Sequence, residues 1–332
     1  MSMRWLCFFL LSCLFPTVSE AESSATGLSS NVGYPHMAIV GGVPFFTAPD
    51  IPMSFQDTIY AISGEALIEY YSADHITAVL SYHNGLLVVL EQRSLMESIM
   101  NVKARSIRFI SIGGATEESY LNLQLPESTY LWNVRYRNGK LYVLCLDSAR
   151  QFHVLIYNDE GQQISHYSNT GYLYDTCFPL SRDDKYLRIY DIETGSVYET
   201  DVLQSSSMQF VSHNGFLYYT DQTGLHRYTY HTHVDDVIYR AEGINSSTNF
   251  IIYDNSVYIL YVPDTYVSVL DLETMGITTI SIPVYPEYAA IANDTLYIYE
   301  RNHTGGIAEI DLNTLEVQVW LLDQDRIPLG GA

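Results

Sequence analysis

The sequence predicts an all-β fold, a β-propeller of seven four-stranded blades, with six blades as the alternative. Three observations lead to it. The phrase Asp-x-Glu/Asn-Thr begins at Asp191, Asp271 and Asp311, with 80 and 40 residues between successive copies. Turn residues repeatedly precede short apolar runs, and no window keeps a helical period over three turns. A strand-rich repeat of about 40 residues is typical of a propeller blade.

The turn residues predict hairpins. Asn-Gly tolerates the positive φ angles of a tight turn, and the apolar runs that follow it are nearly continuous, as in strands covered on both faces. Turn signals precede apolar runs in residues 83–90, 137–144 and 213–220, each with Asn-Gly, and in residues 253–261 and 292–300, with Asp-Asn and Asn-Asp. The recurring phrase then marks the next turn, where its Asp and Thr side chains can bond local backbone. We therefore interpret Asp191, Asp271 and Asp311 as structural turn residues.

Equivalent turns can be placed in the repeats whose residues differ from this phrase. The seven anchors are then Tyr71, Ser111, Tyr157, Asp191, Thr229, Asp271 and Asp311. Around residues 181–195 a turn signal and an anchor nearly coincide, so one strand is missing or merged there, which leaves six blades open. An open β-solenoid and a pair of stacked sandwiches are the rival architectures. We expect the final strand, residues 317–322, to close the ring against N-terminal residues.

The N-terminal region reads as an export signal. Arg4 precedes an apolar run over residues 5–15 that is shorter than a membrane span, and small residues suit cleavage after Ala21. The predicted organisation is a signal peptide (1–21), a flexible leader (22–35), the propeller (36–325) and a tail (326–332). Lipidation at Cys13 is the alternative to cleavage, and no other segment is long and apolar enough for a transmembrane helix. The predicted location is secreted, periplasmic or extracellular.

The charge balance excludes one class of partner. Lys and Arg number 16 against 38 Asp and Glu, a net charge of −22. Nucleic-acid binding needs a basic face, so a nucleic-acid partner is excluded, and an acidic surface chiefly keeps an exported protein dispersed. Tyr is abundant, with 29 copies, which suits packed strands and could also serve a peptide or glycan surface.

Two cysteines remain once the signal is removed. Cys145 and Cys177 form an even pair in an exported chain, and we predict a disulfide between them. Two buried thiols that never meet are the alternative.

The sequence of one predicted blade resembles that of a known family. Tyr219, Thr220 and Asp221, followed by Arg227, resemble the Tyr-Trp-Thr-Asp blade of low-density-lipoprotein-receptor-type propellers and of related bacterial propeller domains. The resemblance implies structural roles for these four residues. The Asp-x-x-Thr turns also resemble quinoprotein-type repeats, but the docking tryptophans are absent, so no cofactor is expected.

Chemical motifs are scarce. His231 and His233 would point to one side of a strand, as two zinc ligands could, but they fall in a predicted turn, so they are weak metal candidates. The sequence has no nucleophile elbow, zinc-protease helix or phosphate loop. We therefore expect a non-catalytic binding module for a protein, peptide or glycan. A glycan-acting hydrolase or lyase, and a lipid-anchored envelope scaffold, are the alternatives.

Overall fold

The computed structural model describes most of the chain. The described residues are 27–29, 36–47, 56–64, 66–74, 76–83, 85–92, 106–113, 116–121, 123, 125–126, 129–204, 208–240, 244, 248–261, 265–300 and 306–320. The predicted signal peptide with Cys13, part of the leader and the tail lie outside them. Two residues of the predicted leader form β1 (Leu28–Ser29). Among the described residues there is no helix of any kind, and hence none able to span a membrane.

The chain divides into two compact units. Residues 35–126 belong to the first, and residues 25–34 and 127–332 to the second. The first unit contains two four-stranded antiparallel sheets: β2 (Met37–Val40), β3 (Val43–Thr47), β4 (Gln56–Ser63) and β5 (Ala66–Asp74), then β6 (Ile76–Tyr82), β7 (Gly85–Gln92), β8 (Ser106–Gly113) and β9 (Thr116–Leu121).

The second unit continues the same plan through five sheets. Their strands are β10 (Tyr130–Arg137), β11 (Lys140–Leu146), β12 (Phe152–Asn158) and β13 (Gln163–Ser168); β14 (Cys177–Pro179), β15 (Tyr186–Asp191) and β16 (Val197–Leu203); β17 (Gln209–His213), β18 (Phe216–Asp221), β19 (Gly224–Thr229) and β20 (Val234–Tyr239); β21 (Asn249–Tyr253), β22 (Ser256–Leu260), β23 (Tyr266–Asp271) and β24 (Ile277–Ser281); and β25 (Tyr288–Ala292), β26 (Thr295–Tyr299), β27 (Ile307–Asp311) and β28 (Val317–Trp320).

These sheets are the blades of a β-propeller, so the predicted fold class is confirmed. Six blades have four consecutive antiparallel strands, the smaller of the two predicted numbers, and the described residues add one three-stranded sheet, β14–β16. That sheet lies where the sequence indicated a missing strand. Residues 171–174 run beside β14 without forming a strand: Gly171 N donates to Pro179 O (2.9 Å) and Tyr174 N to Cys177 O (3.0 Å).

Two sequence expectations are corrected here. Tyr71 does not precede the turn after a third strand. It lies within the fourth strand β5, and the turn comes earlier, at Gly64, which has a φ of 61°. Within the described part of the chain, the last strand also joins no sheet with N-terminal residues. The sheet of β28 is built from β25–β28 alone, and the described N-terminal strand that joins a distant sheet is β1, paired with β21.

Burial differs between the strands of a blade. Second strands such as β11 and β22 are buried almost throughout, whereas fourth strands such as β13 and β24 are mostly exposed. Successive sheets of the second unit pack face to face through apolar and aromatic side chains, with a separate cluster between each adjacent pair. Tyr142, Tyr174 and Tyr228 are fully buried in these clusters, so much of the tyrosine content is core. Burying such rings supplies most of the stability of sheet-on-sheet packing.

The predicted Asn-Gly hairpins are present. Asn138 and Gly139 have φ angles of 52° and 67°, and Asn214 and Gly215 have 49° and 81°. Positive φ at both central positions gives the turn a twist that matches its flanking strands. These turns fix the ends of β10 and β17, where the candidate site lies.

Candidate functional site

Five charged or titratable side chains of the second unit meet at the ends of three successive sheets. They are Arg135, Arg137, Asp175, Glu193 and His213, and we call them the charged cluster. The arginines lie on β10 just before the Asn-Gly turn, Asp175 precedes β14, Glu193 is in the β15–β16 turn, and His213 ends β17. In a propeller the first strand of each blade is the innermost, so β10 and β17 are inner strands.

Arg137 is the centre of the charged cluster. Its Nη1 lies 3.5 Å from Asp175 Oδ2, and its Nη2 lies 3.2 Å from Glu193 Oε1. Glu193 Oε2 is 3.7 Å from His213 Nδ1. One guanidinium therefore bridges two carboxylates, and the second carboxylate reaches on to the next sheet.

Glu193 is held as a carboxylate. His213 and then Arg137 favour its charged form, and together they outweigh partial burial, so the pKa of Glu193 is lowered. A carboxyl group in this state accepts hydrogen bonds well and is poorly suited to donate a proton at neutral pH.

Arg135 is buried and bonds mainly to neighbouring groups of its own strand. Its Nη1 donates to Asn133 Oδ1 (2.6 Å) and to Val134 O (2.8 Å), while its Nε lies 3.9 Å from Asp175 Oδ1. Burial lowers the pKa of the Arg135 guanidinium, and the charge of Asp175 opposes that shift. Asn133 Nδ2 in turn donates to Leu173 O (3.1 Å). These bonds hold Asp175 and the irregular segment before β14 against β10.

A segment of the chain itself occupies this region. Strand β1 pairs with β21, the first strand of its blade, through Leu28 opposite Ile252 and Ser29 opposite Ile251. Ser29 N lies 3.3 Å from Asp175 Oδ2, and Gly27 N donates to Ile291 O (2.7 Å). The docked segment is therefore recognised mainly through its backbone.

Gly27 makes that approach sterically feasible. A Cβ at position 27 would lie 2.6 Å from Ile251 Cγ2 and 3.1 Å from Ile291 Cβ. Real Cβ atoms do not approach other atoms so closely, so a side chain here would push the segment off its sheet. The contact therefore requires glycine at position 27.

The weak metal candidates are not brought together. His231 and His233 lie in the turn between β19 and β20, as predicted, and His233 Nδ1 is 2.7 Å from the Tyr228 hydroxyl and 3.2 Å from Asp201 Oδ2. Within the described part of the chain, no group of three or more His, Cys, Asp or Glu side chains is placed to hold a metal ion.

The four residues of the family resemblance lie on one blade. Tyr219 donates its hydroxyl to Asp235 Oδ2 (2.6 Å), and the buried Thr220 hydroxyl donates to Thr248 O (3.3 Å). Asp221 Oδ1 lies 3.0 Å from His226 Nε2. Burial would raise the pKa of Asp221, but hydrogen bonds from Thr223 and the nearby His226 lower it overall. Three of the four thus bond within their own blade or to the start of the next.

Arg227 stands apart from the other three. Its guanidinium lies over the Phe216 ring, 5.4 Å from the centroid, and faces a cavity rather than a carboxylate.

The three turn aspartates share one geometry. Asp191 Oδ1 accepts from Thr194 N (2.7 Å), as do Asp271 Oδ1 from Thr274 N (2.7 Å) and Asp311 Oδ1 from Thr314 N (3.0 Å). Each turn is also closed by a backbone bond to the aspartate carbonyl, from residues 195, 275 and 315. In each case Oδ1 is occupied by the aspartate's own turn.

The predicted disulfide between Cys145 and Cys177 is absent, which corrects that prediction. Both thiols are free and fully buried, Cys145 on β11 and Cys177 on β14, in different sheets. Burial raises the pKa of Cys145 to about 12 and raises that of Cys177 as well. Both behave as small apolar core residues, the alternative that the sequence left open.

Sequence reasoning missed the charged cluster. The signal available was local: Arg135 and Arg137 alternate on a predicted strand, directly before a turn, in a chain with only 16 basic residues. The acidic partners of Arg137 are 38 and 56 residues away. Asp175 follows no motif, and Glu193 belongs to the recurring phrase, which the sequence indicates only as a structural turn.

Comparisons with known proteins support the scaffold. No family model matches the chain, so the Tyr-Trp-Thr-Asp likeness stays a resemblance, and no curated protein matches it. Among solved structures, a puromycin-hydrolyzing peptidase of Mycobacterium tuberculosis has a TM-score of 0.58 at 10% identity, over 91% of this chain and 55% of that one. A puromycin hydrolase gives 0.61 at 12%, over 92% and 54%.

A third neighbour is of similar length. An uncharacterised protein of Listeria monocytogenes EGD-e has a TM-score of 0.50 at 10% identity, over 90% of this chain and 94% of that one. The chain spans about half the length of the two hydrolases. At such identities the likeness shows the fold and nothing of the activity.

Proposed function

We propose that the protein is an exported, non-catalytic binding module that holds an extended peptide against the inner strands of its second unit, beside the charged cluster. The observation that carries the proposal is β1. An extended segment is already held there by strand pairing with β21, by Ile291 O and by the Asp175 carboxylate. Adding a strand to a sheet edge is a common way to bind peptides, because backbone bonds supply affinity and side-chain fit supplies specificity.

The charges of the cluster favour binding over hydrolysis. A glycosidase needs one carboxylic acid that keeps its proton and one carboxylate, set across the scissile bond. Here Asp175 and Glu193 share the guanidinium of Arg137, and the pKa of Glu193 is lowered rather than raised. Paired carboxylates of this kind position a ligand or a loop, so the glycan-acting alternative has less support.

The test uses the full chain and a synthetic peptide of residues 25–34. Substituting Gly27→Leu in the protein should displace its own segment, because the added side chain would collide with Ile251 and Ile291. The vacated edge should then bind the fluorescent wild-type peptide about tenfold more tightly than the unmodified protein does, since occupancy by the tethered segment lowers apparent affinity.

A peptide that itself carries the Gly27→Leu change is the matched control and should not bind. Adding Asp175→Asn to the protein should weaken binding, because Ser29 N would lose a charged acceptor. Binding is measured by the fluorescence polarisation of each labelled peptide. Equal signals for the wild-type peptide and the Gly27→Leu peptide would contradict the proposal.

A further inference from the structure

A cavity opens between the blades β17–β20 and β21–β24. Its volume is about 190 Å³, and its polar lining comes from His213, Asn214, Tyr218, Arg227, Asp254 and Asn255. A single water needs only about 10–15 Å³ of such space, so the cavity has room for a small ligand. It touches the charged cluster only through His213.

Arg227 supplies a charge that the protein does not neutralise. Arg135, Arg137 and Arg188 each lie within 4.0 Å of a carboxylate, whereas Arg227 forms no ion pair with any described residue. Its guanidinium carbon instead lies over the Phe216 ring, 5.4 Å from the centroid. A ring of this kind orients the guanidinium. A side-chain hydrogen bond joins Arg227 to Tyr218, and the other N–H donors of the guanidinium are available to a ligand.

The surroundings add donors of the right kind. The amides of Asn214 and Asn255 lie on two adjacent turns, and Asn214 Nδ2 is 2.7 Å from His213 Nε2. Asp254 is an exposed acid on the same lining and would repel an anion. In a chain of net charge −22, nonspecific attraction for anions is absent, so any anion binding must come from a local site.

We propose that this cavity binds a small oxyanion, a carboxylate or phosphate group, with Arg227 as its bidentate partner and the asparagine amides as further donors. A planar guanidinium matches both groups geometrically. The site does not depend on the proposed peptide binding at β1, and it would accept either a free anion or an anionic group on a larger ligand.

The experiment follows the side-chain Nε–Hε resonance of Arg227 in the ¹⁵N-labelled full-length protein, assigned by its loss in Arg227→Gln. Sodium phosphate and sodium acetate are titrated separately, with ionic strength held constant by sodium chloride. We expect a saturable shift with at least one of them and a dissociation constant of about 1 mM, typical of a small ligand held by a few polar contacts. Which probe saturates separates a phosphate from a carboxylate site.

The chain provides a matched control arginine. Arg182 lies over the Phe152 ring at 5.7 Å, a similar stacking geometry, but beside a cavity of only about 20 Å³. Arg182→Gln should leave the saturable shifts of the other cavity residues unchanged, and Arg227→Gln should abolish them. Asp254→Asn should tighten binding by about threefold, as expected for removing one exposed like charge.

Two results would overturn the proposal: a strictly linear response to both anions, or saturation that survives Arg227→Gln. If Arg227→Gln does not fold, Arg227→Lys serves instead, since it keeps the charge and loses the bidentate geometry, and it should bind more weakly. Unchanged affinity in both Arg227→Lys and Asp254→Asn would equally rule the site out.

Discussion

Asp191 should contribute far more to the free energy of unfolding than Asp311, although the two residues hold equivalent positions in turns of different sheets. Each accepts two hydrogen bonds from its own turn through Oδ1, Asp191 from the amide and hydroxyl of Thr194. Asp311 is exposed, whereas Asp191 is 4% exposed and its other oxygen accepts the hydroxyl of Ser212. Ser212 also bonds Tyr230 (2.9 Å), so Asp191 ties the sheet β14–β16 to the next blade.

The difference can be estimated. Asp311→Ala removes turn bonds that water replaces, at a cost of about 1 kcal/mol. Asp191→Ala removes the same bonds and also a buried hydrogen bond to a charged group, worth about 1.5–3 kcal/mol. We therefore expect Asp191→Ala to cost about 2.5–4 kcal/mol, the sum of these two contributions.

The assay is urea unfolding of both variants, with comparison of slopes to detect any change in the unfolded state. A double-mutant cycle of Asp191→Ala with Ser212→Ala isolates the link between the sheets, with an expected coupling of about 1.5–3 kcal/mol. Equal costs for Asp191→Ala and Asp311→Ala, or a coupling near zero, would refute the reasoning.

Three further predictions concern the turns, the charged cluster and the thiols. Leu315 is 47% exposed and has a φ of 60°, a conformation that favours glycine. Leu315→Gly should therefore raise the free energy of unfolding by about 0.5–1 kcal/mol, and Gly195→Leu at the equivalent position should lower it. Urea unfolding measures both. Because the folded pKa of Glu193 is lowered from 4.5, its contribution to stability is complete above that pH and is lost as the pH falls through the folded value; Glu193→Gln should flatten the stability profile there, measured by unfolding at a series of acid pH values. Cys145 and Cys177 should react with a thiol reagent only in denaturant, and rapid labelling of the native protein would contradict their burial.

Local features of the fold could be predicted from the sequence. The turn after β23 depends on Asp271 and on residues within five positions of it, so its motif is visible in one short segment. The same logic located the irregular sheet β14–β16. It misplaced the anchor at Tyr71 because β5 is nine residues long and continues past that position, and the informative residue was the turn glycine Gly64.

The candidate site could not be predicted in the same way. The bond between Arg137 and Glu193 joins residues 56 positions apart. Glu193 belongs to the recurring phrase and has a counterpart in Glu273, but nothing in the sequence pairs it with Arg137. β1 has even less signal, because it is held through backbone atoms that every residue has. Only Gly27 marks the docking, and a lone glycine in a Ser- and Gly-rich leader is indistinguishable from a flexible one.

The docking of β1 also sets an order on folding. Leu28 pairs with Ile252, and Gly27 reaches Ile291, so these contacts close loops of more than 200 residues. Contacts of such long range are entropically costly and form late. The β1 segment is made long before β21 and β25 but must wait until both exist, so it is among the last parts of the second unit to reach its place.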